Sequence, residues 1–319
     1  MSTVIEVNPH QTKAISSFAE LRERARSLGG TRRVAVVVAD DEVALTAASG
    51  ALEQGIAMPV LVGNESRIRV KATKLKLDML LAKAEIVATA DTTEATADAA
   101  VKLAREGSVD LLLKGRLRTD ELFKAVLNKQ TGLRMGRLLN DVLLFEDTLA
   151  GYRRLVGVTD GGLILAPNLE QKKQIILNTI EVMHSLGFVR PKFAVMSATE
   201  VVSPNLQSTV DAQALTMMCE AGVFGDAVVF GPVALDGALK PAAARAKGIK
   251  FEGAGFADCL VAPTIEAANM FGKSTKYLGG SQNAHVVVGA RVPVLIPSRV
   301  ESAEDKINAV AMGVIYAAR

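Results

Sequence analysis

The stretch PVLIPSRVESAEDKINAVAMG, Pro293 to Gly313, sets a hydroxyl and a guanidinium side by side, Ser298 and Arg299, between an apolar run and a helix-like pattern. A turn that feeds a helix N-terminus collects anions, because the first N–H groups of the helix point outward without partners. A guanidinium holds phosphate oxygens in a planar fork. The pair therefore reads as a site for a small, multiply charged anion. Asp305 follows three residues after Ser302. That spacing is N-cap to N3 of a helix, so capping by itself accounts for Asp305.

A second candidate is KGRLRTDELFKAVLNKQTGLRMGRL, residues 114–138. Lys114, Arg116 and Arg118 occupy the turn after an apolar strand, and Thr119 reads as the N-cap of the helix that follows, with Asp120 and Glu121 in its first turn. Lys124, Lys129, Arg134 and Arg137 add further cations. Any one of them is explained by a solvated basic face. Their density beyond the carboxyl end of a strand is where open α/β sheets bind ligands. In TDGGLILAPNLEQKK, residues 159–173, Asp160 ends a strand and two glycines permit close backbone approach. AANMFGKS, residues 267–274, imitates a phosphate loop, but it has one glycine and helical spacing. Backbone N–H groups cannot wrap phosphates from a helix, so that reading fails on mechanics.

The elements that must position these residues alternate strand, turn and helix. Eleven short apolar, β-branched runs are strand candidates: 33–39, 58–63, 85–90, 110–115, 141–145, 154–160, 192–198, 226–231, 258–263, 285–290 and 292–297. Nearly continuous apolar strands are buried on both faces, as in parallel sheets. Helical stretches separate most of them, which implies an α/β fold with right-handed crossovers. Eleven strands exceed the usual single sheet and suggest two lobes. Asn168 with Gln171 predicts a capping box, Gly187 a helix stop, and Ile307, Val310, Ala311, Val314 and Ile315 one apolar stripe.

Composition narrows the chemistry. The 319 residues are 49% hydrophobic and 22% charged, a globular balance. Aromatics are 4%, Trp is absent and net charge is only +3, which excludes a broad nucleic-acid face. Cys219 and Cys259 form no C-x-x-C, and His10, His184 and His285 match no metal spacing, so no metal is expected. No apolar run is long enough to span a bilayer, and the first residues lack a secretory h-region. The expectation is a soluble, cytoplasmic protein with no nucleic-acid and no membrane partner.

Taken in order, KGRLRTDELFKAVLNKQTGLRMGRLL, APNLEQKKQIILNTIEVMHSLG, STVDAQAL, GPVALDGAL, PTIEAANMFGKSTKYL and GARVPVLIPSRVESAEDK resemble blocks of the phosphate acetyltransferase/phosphate butyryltransferase family. The likeness covers roughly residues 110–319, more weakly 30–100, and is closer to the butyryl, short-chain acyl branch. It implies a two-lobed α/β fold of the isocitrate/isopropylmalate dehydrogenase type with the active site in the interlobe cleft. Residues 1–140 and 290–319 would form one lobe and 141–289 the other. It also implies a homodimer or higher homo-oligomer.

The implied reaction moves a short acyl group, acetyl to butyryl, between CoA and inorganic phosphate, with acyl-CoA, CoA, phosphate and acyl phosphate as partners and no cofactor. The family's Ser-Arg pair falls on Ser298 and Arg299, and its acid on Asp305. In the family the Arg binds phosphate, the Ser stabilises the transition state and the Asp is a proposed base. Thr119 joins Ser298 and Arg299 as a phosphate ligand, while Lys114, Arg116, Arg118 and Lys124 are assigned to CoA, Lys124 standing where the family has a further Arg. Two departures are Asp160-Gly161-Gly162-Leu163, where small residues usually follow the Asp, and Pro297, where a polar residue is common. Asp305 is an uneasy base, since a thiol titrates near ~8.5 and a free Asp near ~3.9. The competing readings are an oxidoreductase on the same scaffold and a non-catalytic CoA- or phosphate-binding protein. The first lacks a nicotinamide fingerprint, and the intact Ser298-Arg299-Asp305 set argues against the second.

Overall fold

The computed structural model describes residues 14–148, 154–298 and 300–319. The eleven apolar runs all become strands: β1 (Arg33–Val37), β2 (Met58–Gly63), β3 (Glu85–Ala88), β4 (Leu111–Lys114), β5 (Asn140–Asp147), β6 (Arg154–Thr159), β7 (Lys192–Met196), β8 (Val228–Val233), β9 (Cys259–Val261), β10 (Asn283–Val288) and β11 (Val294–Leu295). They build one sheet in the order β3-β2-β1-β4-β11-β10-β5-β6-β9-β7-β8.

The stitch is β5. It is long enough to pair antiparallel with β10 along one edge and with β6 along the other. β10 also pairs antiparallel with β11. The remaining pairs are parallel: β2 with β1 and β3, β4 with β1 and β11, β6 with β9, and β7 with β8 and β9. The fold is thus α/β, with a mainly parallel mixed sheet flanked by helices.

Alternation along the central strands sorts the core. Val142 and Leu144 of β5, with Ala284, Val286 and Val288 of β10, enter one apolar cluster that reaches from Ile15 to Tyr316. On the opposite face the core is divided. One cluster holds Val37, Val60, Leu112, Phe123 and Val287; another holds Leu143, Phe145, Val158, Phe230 and Leu260. The polar residues of the central strands stand where these two clusters part.

Local signals mostly resolve as the sequence suggests. Asn168 and Gln171 exchange side-chain-to-backbone hydrogen bonds, each of 2.9 Å, at the start of the helix Leu169–Ser185. Gly187 ends it at φ 89°. Two details differ. The helix Thr119–Val126 is capped one residue earlier, at Arg118, whose N–H donates to Glu121 Oε2 at 2.7 Å. The terminal helix Ala303–Ala317 is buried all round from Asp305 to Tyr316 instead of along one stripe. It is wedged between β10 and the helices Phe18–Ser27 and Glu42–Glu53, so even its polar positions are taken from water.

Candidate active site

A cleft of about 330 Å³ opens over the centre of the sheet. Asp141 and Leu143 of β5, Val158 of β6, and Asn283 and His285 of β10 form its floor. The helix Ile265–Tyr277 supplies Ala268, Gly272, Lys273 and Lys276, and the segment after β11 supplies Ile296, Ser298 and Glu301. Side walls thus come from both divided core clusters.

Register explains the first polar pair. His285 lies opposite Leu143, which makes Asp141 its diagonal neighbour on the same face. His285 Nδ1 meets Asp141 Oδ2 at 3.0 Å. On its other side Nε2 stands 3.6 Å from Glu301. Burial disfavours the imidazolium, but Asp141 and then Glu301 outweigh it and hold the pKa up to about 9. His285 is therefore a fixed cation at neutral pH, flanked by two carboxylates.

Asp160 caps the end of β6 and accepts backbone N–H groups from Gly162 (2.8 Å), Leu163 (3.0 Å) and Ile164 (3.2 Å). Burial and the neighbouring charge of Asp141 nevertheless push its pKa up to about 7. The glycines are there for space: a Cβ on Gly162 would come within 3.0 Å of Asp141 Cβ. Gly272 serves the cleft in the same way, since a Cβ there would meet Leu143 Cδ1 at 2.9 Å.

Asp305 is built into the wall behind. Its side chain has no exposed surface. Oδ2 accepts from Ser302 Oγ at 2.6 Å, from Ser302 N at 3.0 Å and from Lys276 Nζ; Oδ1 accepts from Asn283 N at 3.0 Å. Burial would raise its pKa, but Lys276, Ser302 and Asn283 prevail and lower it. Glu301 is raised instead, by burial first and by Asp305 and Asp141, against the pull of His285. Asn283 contributes an acceptor: its Oδ1 is buried without a hydrogen-bond partner among the described residues.

Of the residues expected from sequence, Ser298 and Thr119 line the cleft. Arg299 lies outside the described residues. The cations assigned to CoA are spread apart. Lys114 is buried, with Nζ 3.3 Å from Leu117 O. Arg116 pairs with Asp40 at 2.9 Å and Arg118 with Asp120 at 2.9 Å. Lys124 pairs with Glu94 at 2.9 Å beside a separate hollow. Sequence reasoning missed Lys273, Lys276, His285, Asp141 and Glu301. Lys273 was hidden in the false phosphate loop and Lys276 just beyond it on the same helix, and His285 matched no motif because its partner is 144 residues away. Among the described residues no group of His, Cys, Asp and Glu could hold a metal ion.

Next to the cleft lies an apolar hollow of about 380 Å³, walled by Met196, Leu206, Leu235, Leu260 and Phe271. Val158 and Ala268 line both spaces.

The model of the family described as phosphate acetyl/butaryl transferase matches residues 16–105 and 91–314. Phosphate butyryltransferase from Clostridium beijerinckii is 39% identical over 303 residues, 95% of this chain and 98% of its own. Phosphate acetyltransferase from Rhizobium meliloti is 39% identical over 279 residues, 88% of this chain and 87% of its own. Among solved structures, a branched-chain phosphotransacylase from Enterococcus faecalis V583 superposes with a TM-score of 0.78 at 26% identity, covering 90% of this chain and 99% of that one. With a match that runs through every strand of the sheet and through the segment carrying Ser298, the chain belongs to the phosphate acetyltransferase/phosphate butyryltransferase family.

Proposed function

We propose that the protein catalyses the reversible reaction of a short acyl-CoA, acetyl to butyryl, with inorganic phosphate to give acyl phosphate and CoA. The observation that carries this reading is the position of Ser298: in a family of phosphate acyltransferases, it lines a cleft whose other walls bear His285, Lys273 and Lys276. Matches to transferases along the whole chain favour it over an oxidoreductase on the same scaffold.

Phosphate is held by Arg299, Ser298 and Thr119, the first assigned from its place in the motif. A hydrogen bond from such a charged group contributes about 1.5–3 kcal/mol. Ser298 faces the tetrahedral oxyanion, and the loss of one oxyanion donor typically costs about 2.7–4 kcal/mol in activation free energy. Arg116 and Arg118, half exposed to exposed beside Thr119, meet the CoA phosphates. Lys114 orders the turn from within, and Lys124 tethers the next helix to Glu94. The Asn283 acceptor, without a hydrogen-bond partner among the described residues, suits an amide N–H of the pantetheine arm. The apolar hollow behind Val158 and Ala268 receives the acyl tail, which accommodates butyryl as well as acetyl. Attack and collapse need no cofactor and no enzyme-bound acyl group.

The same reading divides the molecule into lobes, 1–140 with 290–319 and 141–289, with the dehydrogenase-type arrangement of the cleft between them, in a cytoplasmic homo-oligomer. The parting of the two core clusters at the cleft supports the division. One assay decides the activity. Purified protein is mixed with acetyl-, propionyl- or butyryl-CoA and phosphate, and free thiol is followed. Phosphate-dependent thiol release is expected; its absence with every acyl-CoA would reject the proposal.

A further inference from the structure

The carboxylate that family likeness nominates for proton transfer is poorly placed for it. Asp305 has four donors on its two oxygens, no exposed side-chain surface, and a lowered pKa. A base so satisfied gives up three neutral hydrogen bonds and an ion pair when it takes a proton.

Glu301 differs on each count. It lines the cleft together with Ser298, and its main-chain N–H donates to Ser298 O at 3.1 Å, which fixes the two residues to one short turn. His285 Nε2 is 3.6 Å from its carboxylate, close enough to balance charge but too far for a strong hydrogen bond. The imidazole is held from behind by Asp141 at 3.0 Å, on a central strand, so the cation cannot swing away. Burial raises the carboxyl toward the range in which proton exchange with a thiol is efficient.

We propose that Glu301 carries the proton between phosphate and the CoA sulfur, and that His285, clamped by Asp141, positions and charge-balances it. This rests on the transferase reading above. In the direction of acyl phosphate, the Glu301 carboxylate takes the proton of hydrogen phosphate as the phosphate oxygen bonds to the thioester carbonyl carbon. The tetrahedral oxyanion collapses, the carbon–sulfur bond breaks, and sulfur leaves with the electron pair. The Glu301 carboxyl then returns the proton to the thiolate. The reverse direction uses the same two transfers in opposite order. Asp305 stays ionised throughout and anchors Lys276.

The charged groups around Glu301 come from several elements: His285 and Asp141 from the sheet, Lys273 from the helix Ile265–Tyr277, and Asp305 and Lys306 from the terminal helix. Removing the imidazolium takes away the largest influence that lowers the Glu301 pKa among the described residues, the backbone of Ser298 being a lesser one.

The test compares steady-state kinetics of Glu301→Gln, Glu301→Ala, His285→Gln and Asp305→Asn with the parent, using butyryl-CoA and phosphate. Glu301→Gln should lose about 10²- to 10⁴-fold in kcat, with KM for both substrates within about threefold. Formate should restore Glu301→Ala at least about tenfold, since it supplies the missing carboxylate to a small cavity. In His285→Gln the acid limb of kcat/KM should move to higher pH. Asp305→Asn should melt lower and retain more activity than Glu301→Gln. The inference is overturned if Glu301→Gln keeps kcat within about threefold of the parent. Loss of activity with raised KM and no formate rescue also overturns it, because that pattern belongs to binding or folding. A parent with no phosphate-dependent thiol release would instead reject the transferase reading.

Discussion

Asp160 shows how a single buried carboxyl can set a pH dependence for the whole protein. Its folded pKa is raised from 3.8 to about 7. The proton is thus bound more tightly in the folded state. Its stabilising contribution is complete below about 3.9 and is lost as pH rises through about 7. Asp160→Asn removes that slope. The Oδ1 bonds to Gly162 and Leu163 can persist, while the one from Ile164 is lost. Relative to the parent, the variant should gain on the order of a few kcal/mol between pH 5 and pH 8. Urea unfolding at the two pH values measures the difference. His285, whose contribution fades as pH rises toward about 9, is present in both proteins and cancels. A parent-to-variant gap that did not change with pH would show that Asp160 is ionised throughout.

At the scale of elements, the approach to the cleft depends on how closely the turn after β4 passes the end of β1. Gly115 N donates to Val37 O at 2.9 Å and Arg116 N to Val38 O at 3.1 Å. A Cβ on Gly115 would lie 2.4 Å from Val38 O and 2.6 Å from Val37 O, and neither carbonyl can yield without disturbing the strand. Gly115→Ala should therefore destabilise by about 2 kcal/mol. It should also raise KM for phosphate, because Thr119 is displaced with the turn. Thermal melting and phosphate titration of the same variant check both effects, and unchanged values in both would mean the turn relaxes freely. The resolved helix caps at Asn168 and Ser302 show the opposite case, where a motif of four residues suffices to fix an element end.

For the whole molecule, the continuous sheet and the apolar cluster from Ile15 to Tyr316 tie together both sides of the cleft. Losing either half of the sheet would expose β5 and β10 edges and strip one face of that cluster. Unfolding in urea should accordingly be a single transition. Far-UV ellipticity and tyrosine emission, the latter usable because Trp is absent, should give superimposable curves. Two resolved midpoints would show that the two halves of the sheet unfold independently.

Sequence alone determined the strands, because continuous β-branched runs between helical stretches have few other uses, and all eleven were legible. It also determined the family, through long ordered blocks, and the capping of two helices, through spacing that acts within four residues. Tertiary structure decided the rest. The antiparallel pairing of β5 with β10 and β6 joined the eleven strands into one sheet. Register brought His285 to Asp141 across 144 residues. Burial then separated Glu301, raised and facing the cleft, from Asp305, lowered and satisfied behind it. Four residues apart in the chain, the two carboxylates are alike by type; only the donors and charges that folding placed around them give them different chemistry.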